Sequence, residues 1–367
     1  MLEFDYDALR ALGLTPALAA RAMTLADGLE GSAVRRLFRV VEVHRETVVL
    51  HDGRDTRAAR MAPWLRRTLE EEGTALAAGD WALVSVDRHG DAWADARVPP
   101  VSHIARRDSE GRSHPIVSNV DVALIVMGLD DDFNPRRLER FIALVWDDAI
   151  VKVVVLTKAD MIAAPADVEA QVTLLRARVP ADVPILAVNA RDSGAAQALE
   201  PYLACGQTLV MLGSSGAGKS TLTNTLMGAP LQDTGPVRVH DSRGMHTTTS
   251  RSLHRLPIGA MVIDTPGLRT LRPDADASAL AVSFADIEAL AMHCRFGDCT
   301  HTAEPGCAVR EGVDADRLRN YHKLQRELRR DSITALERRR QAALWKARGK
   351  AAKVRMRQKR GEPGGLF

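Results

Sequence analysis

Between residues 208 and 227 the chain reads as a buried strand, a glycine-rich turn and the start of a helix, and this order constrains the fold more than any other stretch. The apolar run Thr208 to Leu212 leads into Gly213-Ser214-Ser215-Gly216-Ala217-Gly218-Lys219-Ser220, and Lys219 to Met227 has helical character. The turn fits G-x-x-x-x-G-K-[ST], in which glycines at 213, 216 and 218 let successive backbone N–H groups turn inward around phosphate oxygens. The helix then presents its N-terminus to the same anion. Lys219 is expected to neutralise the β- and γ-phosphates and the Ser220 hydroxyl to coordinate Mg2+, with Thr221 beside them in the first helical turn.

A phosphate loop does not choose between adenine and guanine, so the base must be read from other strand ends. Val151 to Leu156 is strand-like and delivers Thr157-Lys158-Ala159-Asp160. A carboxylate at Asp160 can accept hydrogen bonds from N1 and N2 of guanine, an arrangement adenine does not offer, while the Lys158 stem lies over the base plane. Val188-Asn189-Ala190 ends a further apolar run, and the Ala190 amide could meet guanine O6. Ala260 to Ile263 delivers Asp264-Thr265-Pro266-Gly267, with Asp264 directed at the Mg2+ and the Gly267 N–H at the γ-phosphate. The base loops thus precede the phosphate loop, the reverse of the usual order. Parallel α/β sheets gather their ligand loops at the carboxyl ends of the strands, so such a permutation leaves the site intact.

Together these residues resemble the circularly permuted GTPases, and flanking motifs narrow the resemblance to the ribosome small-subunit-dependent GTPase A family. The further matches are Gly244-Met245-His246-Thr247-Thr248-Thr249, Asn119-Val120-Asp121, Arg136-Arg137-Leu138-Glu139-Arg140 and Cys294-Arg295-Phe296-Gly297-Asp298-Cys299-Thr300-His301 with Cys307. The resemblance as a whole runs from about residue 33 to about residue 330. Thr157 stands where many GTPases carry Asn, and Asn189 where Ser is usual. The resemblance implies late maturation of the 30S ribosomal subunit, with 16S rRNA and GTP/GDP as partners and slow GTP hydrolysis stimulated by the 30S particle. Two other classes are weighed against it. A nucleotide-dependent kinase would need an acceptor pocket that the sequence does not indicate, and a passive zinc-containing RNA-binding protein would not need Lys219, Ser220, Asp264 and Asp160.

Cys294, Cys299, His301 and Cys307 offer three thiolates and an imidazole, the donor set of a closed tetrahedral Zn2+ site. With four protein ligands such a site is structural, and the resemblance supports it. His293 is a rival ligand, and Cys205 is expected to be a small buried residue. Four cysteines in 367 residues make no disulfide framework, and no apolar run reaches membrane-spanning length. A cytoplasmic, monomeric protein without a membrane partner is expected.

The expected architecture is multidomain α/β. Residues 1–32 form a helical lead-in, 33–101 a small barrel of short strands, 102–275 the permuted P-loop GTPase domain, 276–335 a helical zinc-binding domain and 336–367 a basic tail. The resemblance implies that the barrel is an OB-fold. Arg35, Arg36 and Arg39 on it could bind RNA or form an ordinary solvated face. Between Arg319 and Arg360 sixteen Lys or Arg face three Asp or Glu, a block suited to phosphate backbones although the whole chain carries only +3.

Leu268, Arg269, Thr270 and Leu271 follow Gly267, so no Gln stands ready to orient an attacking water. His246 is the candidate substitute, its alternative role being to pack against a partner. Thr247 or Thr248 would bind Mg2+ when this segment closes.

Overall fold

The computed structural model describes residues 2–29, 34–107, 113–145, 147, 149–229, 251–265 and 277–331. His246, Thr247, Thr248, Gly267 and the basic stretch beyond Asp331 lie outside them.

The chain opens with β1 (Leu2–Glu3), α1 (Tyr6–Arg10) and α2 (Pro16–Gly28). Pro16 has the φ that a first helical turn needs, and the Thr15 hydroxyl accepts from the Leu18 N–H, so α2 starts where the Thr-Pro pair places it. Next come β2 (Arg35–Val43), β3 (Thr47–His51), β4 (Thr56–Met61), α3 (Pro63–Glu71), β5 (Trp81–Val86) and β6 (Ala92–Val98). Pairing runs β2 to β3 to β4 to β6 to β5 and returns to β2, with β4 and β6 parallel and the other pairs antiparallel. The cycle leaves no open edge among the five strands. Phe38, Val40, Val48, Leu50, Leu65 and Val84 fill its interior.

A hairpin of β7 (His103–Arg107) and β8 (Ser113–Ser118) leads into the central sheet. That sheet takes β9 (Val122–Gly128), α4 (Pro135–Leu144), β10 (Val151–Thr157), α5 (Pro165–Arg176), β11 (Ile185–Ala187), α6 (Ser193–Leu199), β12 (Thr208–Leu212), α7 (Lys219–Met227), β13 (Ser252–Arg255) and β14 (Met261–Asp264). Its order is β11-β10-β9-β12-β14-β13, parallel except for β13. Every residue of β9 and β12 is buried, which is why both read as unbroken apolar runs without a period of two. Four more helices follow: α8 (Ala277–Ser283), α9 (Ala285–Ala291), α10 (Ala308–Gly312) and α11 (Ala315–Asp331). They enclose a small core of Leu280, Phe284, Ile287, Val309, Tyr321 and Leu324.

Arg39 corrects one expectation. It is wholly buried, donating to the Leu12 and Asn119 carbonyls at 3.0 Å each and to Thr208 Oγ1 at 3.2 Å, with its guanidinium 5.0 Å from the Trp81 ring centre. Burial, opposed by Asp121 and Asp80, lowers its pKa to about 10. A residue so placed joins the lead-in, the closed strands and the central sheet, and cannot meet RNA. Arg35 is also buried, 3.4 Å from Asp95, which leaves Arg36 as the solvated member of the trio. Cys205 reverses the other way: it is exposed, because its turn before β12 lies at the surface against Gly259.

Candidate functional site: a nucleotide pocket and a metal cluster

The parallel strands β11, β10, β9, β12 and β14 bring their carboxyl ends to one edge of the sheet, and the nucleotide motifs occupy the loops that leave β10, β11, β12 and β14. Gly213 follows β12, and a Cβ there would stand 2.2 Å from the Val126 carbonyl oxygen, so only glycine lets the loop leave against β9. Gly218 takes φ +92° as it caps α7, while Ser215 and Gly216 are exposed and Ala217 is buried beneath them. Lys219 Nζ donates to the Gly213 and Ser214 carbonyls at 2.8 and 2.6 Å, which fixes the ammonium inside the curve of the loop. Burial lowers its pKa, against the pull of Asp264 and Asp132. Ser220 and Thr221, in the first turn of α7, are both half-buried.

The candidate base loops attach to this frame through backbone and hydroxyl groups. The Thr157 hydroxyl donates to the Ala217 carbonyl at 2.6 Å, tying the end of β10 to the phosphate loop. Lys158 takes the left-handed conformation at φ +62°, and Asp160 is exposed in the short turn after it. The Ala159 N–H donates to the Val188 carbonyl at 3.3 Å, and the Thr225 hydroxyl of α7 to the Ala190 carbonyl at 2.6 Å. Asn189 folds back on its own turn, its Oδ1 accepting from the Arg191 N–H. Asp264 ends β14, and the buried Thr265 hydroxyl donates to the Met211 carbonyl at 2.6 Å. Motifs separated by about a hundred residues of sequence therefore meet at one pocket.

A family model described as RsgA GTPase matches residues 98–273. A protein of Xanthomonas oryzae pv. oryzae (strain MAFF 311018), named small ribosomal subunit biogenesis GTPase RsgA, is 45% identical over 299 residues, covering 79% of this chain and 80% of its own length. The chain belongs to the RsgA family of GTPases. A relative of the same name from Xanthomonas campestris pv. campestris (strain B100) is 44% identical over the same share of both chains. The fold is shared with solved structures. The crystal structure of YjeQ from Thermotoga maritima matches with a TM-score of 0.56 at 23% identity, over 80% of this chain and 98% of that one. That of YloQ, a circularly permuted GTPase, matches with a TM-score of 0.53 at 19% identity, over 80% and 95%.

In this RsgA-family chain the second cluster lies between α9 and α10. The ligand atoms of Cys294, Cys299, His301 and Cys307 all fall within 4.8 Å of one another. Cys294 Sγ is 3.9 Å from Cys307 Sγ, and His301 Nδ1 is 3.6 and 3.4 Å from the two sulfurs. Four donors about 2.1 to 2.3 Å from one ion, tetrahedrally arranged, would be spaced about 3.4 to 3.8 Å apart. The cluster therefore fits one metal ion. His301 reaches it from a left-handed backbone, φ +58°, and its carbonyl meets His322 Nε2 of α11 at 3.3 Å. His293 is exposed and stands outside the cluster.

In the Arg136 to Arg140 motif, Arg137 donates to the carbonyl and carboxylate of Asp132, whose carboxylate also reaches the phosphate loop through the Ser214 hydroxyl. Arg136, Glu139 and Arg140 pair with Asp316, Arg317 and Glu327 of α11, while Leu138 is buried in the central core. Arg317 uses all five N–H groups: Nη1 on Glu139 Oε1 and the Arg178 carbonyl, both at 2.8 Å, Nη2 on the Ser283 carbonyl at 3.2 Å and Asp286 at 2.6 Å, and Nε on Asp286 at 2.8 Å. The sequence carried no signal for this seam, because its partners are far apart along the chain and each side is ordinary for a charged helix.

Proposed function

We propose that this chain binds the small ribosomal subunit and hydrolyses GTP in the subunit's late maturation. The observation that carries the reading is the attachment of the base loops to the phosphate loop, Thr157 on Ala217 and Thr225 on Ala190, within an RsgA-family chain. In this reading Asp160 accepts from guanine N1 and N2, the Lys158 stem covers the base, and Thr157, Asn189 and Ala190 shape the base site. Gly213 to Thr221 hold the phosphates, Ser220 and Asp264 hold Mg2+ with Thr247 or Thr248, and the Gly267 N–H meets the γ-phosphate. Lys219 is already aimed by two carbonyls, so its charge reaches the phosphates without reorganisation.

The domain reading follows the same lines: lead-in 1–32, barrel 33–101, GTPase domain 102–275, zinc domain 276–335 and tail 336–367. The closed cycle of five strands, with α3 between β4 and β5, supports an OB-fold. Three thiolates and one imidazole suit Zn2+ in a structural role, since four protein donors leave no position for water. The protein acts as a cytoplasmic monomer on 16S rRNA within the particle. Among the described residues no helix is long and apolar enough to cross a membrane.

Intrinsic hydrolysis is slow in this reading, because Leu268 to Leu271 hold no amide, and His246 orients the water when the protein is bound to the particle. GTP turnover measured with and without 30S subunits tests it: stimulation is expected, and an unchanged rate overturns the ribosomal role. His246→Ala should remove at least tenfold of the stimulated rate, general acid–base groups being worth about 10² to 10⁴, while GDP affinity stays within twofold. Loss of GDP binding instead would make His246 structural.

A further inference from the structure

The acidic stretch Asp130-Asp131-Asp132 belongs to none of the nucleotide motifs, yet two of its carboxylates reach two different loops of the pocket. Lys158 Nζ donates to Asp130 Oδ2 at 2.6 Å, and the Ser214 hydroxyl donates to Asp132 Oδ1. The stretch is braced from within: the Asp132 N–H donates to Asp130 Oδ1 at 3.2 Å, and the Gly128 N–H to Asp132 Oδ2 at 3.1 Å. Gly128 also makes room, since a Cβ there would stand 2.4 Å from Asp130 Oδ1. The paired side chains of Lys158 and Asp130 are only 26% and 31% exposed, so the ion pair is partly withdrawn from water.

We propose that Asp130 is a positioning residue for nucleotide binding, anchoring the Lys158 ammonium so that its methylene stem is stretched along the base site before the base arrives. The proposal rests on the reading that Lys158 covers the base. A free lysine would lose rotamer freedom on packing against a purine, and that loss weakens binding. Anchored at its end, the side chain has lost that freedom in advance, and guanine meets a preformed apolar surface. Asp130 acts on the base site through Lys158, while its other oxygen braces the Asp132 N–H. Burial, the largest single influence, pushes the Asp130 carboxyl up, but the Lys158 hydrogen bond and charge together with the Asp132 N–H hold it below its ordinary value, so the anchor stays charged at neutral pH.

Calorimetric GDP affinity of the full-length protein tests this in four forms: wild type, D130N, K158M and the double variant. D130N, nearly isosteric, should raise the Kd about tenfold, as expected for loss of a charge-assisted hydrogen bond. K158M should cost at least as much, and D130N should add less than twofold in the K158M background. D130S repeats the measurement should the Asn variant fold poorly. Additive losses would overturn the proposal, because Asp130 would then act without Lys158. An unchanged Kd for D130N beside a raised one for K158M overturns the positioning role alone. An unchanged Kd for K158M overturns both that role and the base reading beneath it.

Discussion

Charge is used in opposite ways in the nucleotide pocket and along the seam between α4 and α11. In the pocket Asp160 is exposed and Ser220 half-buried, and Lys219 spends its donors on main-chain carbonyls rather than on an acid. At the seam Glu139 is 1% and Arg317 4% exposed, and every Arg317 donor is used, three on the carboxylates of Glu139 and Asp286 and two on main-chain carbonyls. A pocket keeps polar capacity for a ligand, whereas a seam consumes it in cohesion. Burial raises the Glu139 pKa even against Asn320, Arg317 and Arg178, which shows how much solvation the seam gives up. Such a cluster is not strongly stabilising against an apolar equivalent, but it is costly to break from one side.

Breaking it from one side is the severest test of the contrast. Arg317→Met leaves the buried Glu139 carboxylate with only Asn320 and the more distant Arg178, and loss of one partner of a buried pair costs about 3–5 kcal/mol. Denaturant unfolding should register that loss, while GDP affinity stays within twofold. Loss of both together would show that seam and pocket are one cooperative unit, joined through Arg137 and Asp132.

How much of each region could be read in advance follows from how local its signal is. The phosphate loop declares itself within eight residues because glycine φ values and a helix start are local facts, and β12 and α7 begin and end where the apolar run and the helical stretch do. The metal cluster is likewise local in sequence. The seam is not: Glu139 and Arg317 are 178 residues apart, and a charged residue on an amphipathic helix looks solvated until its partner is known. Arg39 misleads for the same reason, since Leu12, Asn119 and Thr208 surround it only in the folded chain. Thr157 shows the converse. Its hydroxyl on Ala217 gives a structural role to the residue that stands where many GTPases carry Asn.

A smaller effect is expected on the pocket side, and it sharpens the contrast by changing chemistry without changing the fold. Asp160→Asn replaces an acceptor-only carboxylate by an amide that also donates. Guanosine nucleotides should lose about 3 kcal/mol, roughly hundredfold in Kd, and xanthosine nucleotides, with a carbonyl at C2, should gain. Unfolding free energy should not move, because Asp160 is exposed in its turn. A stability loss with unchanged base preference would place Asp160 with the seam residues rather than with the site.

The smallest effect concerns the outer rim of the seam and separates the regions by pH. The Arg136 guanidinium, opposed by slight burial and joined by Arg319 and Arg178, holds the Asp316 carboxyl well below its ordinary value of 3.8. A carboxyl lowered in the folded state contributes stability that is complete above the unfolded value and is lost as pH falls through the folded one. The difference in unfolding free energy between wild type and Asp316→Asn should therefore be constant from about pH 7 to pH 5 and shrink below about pH 4. It should be small, since rim ion pairs partly exposed to water contribute little. GDP affinity should be the same in both proteins across that range, because Asp316 meets Arg136 and Arg178 and no residue of the pocket. A difference that grew as the pH fell would reverse the sign and show that the Asp316 carboxylate is destabilised by the seam rather than held by it.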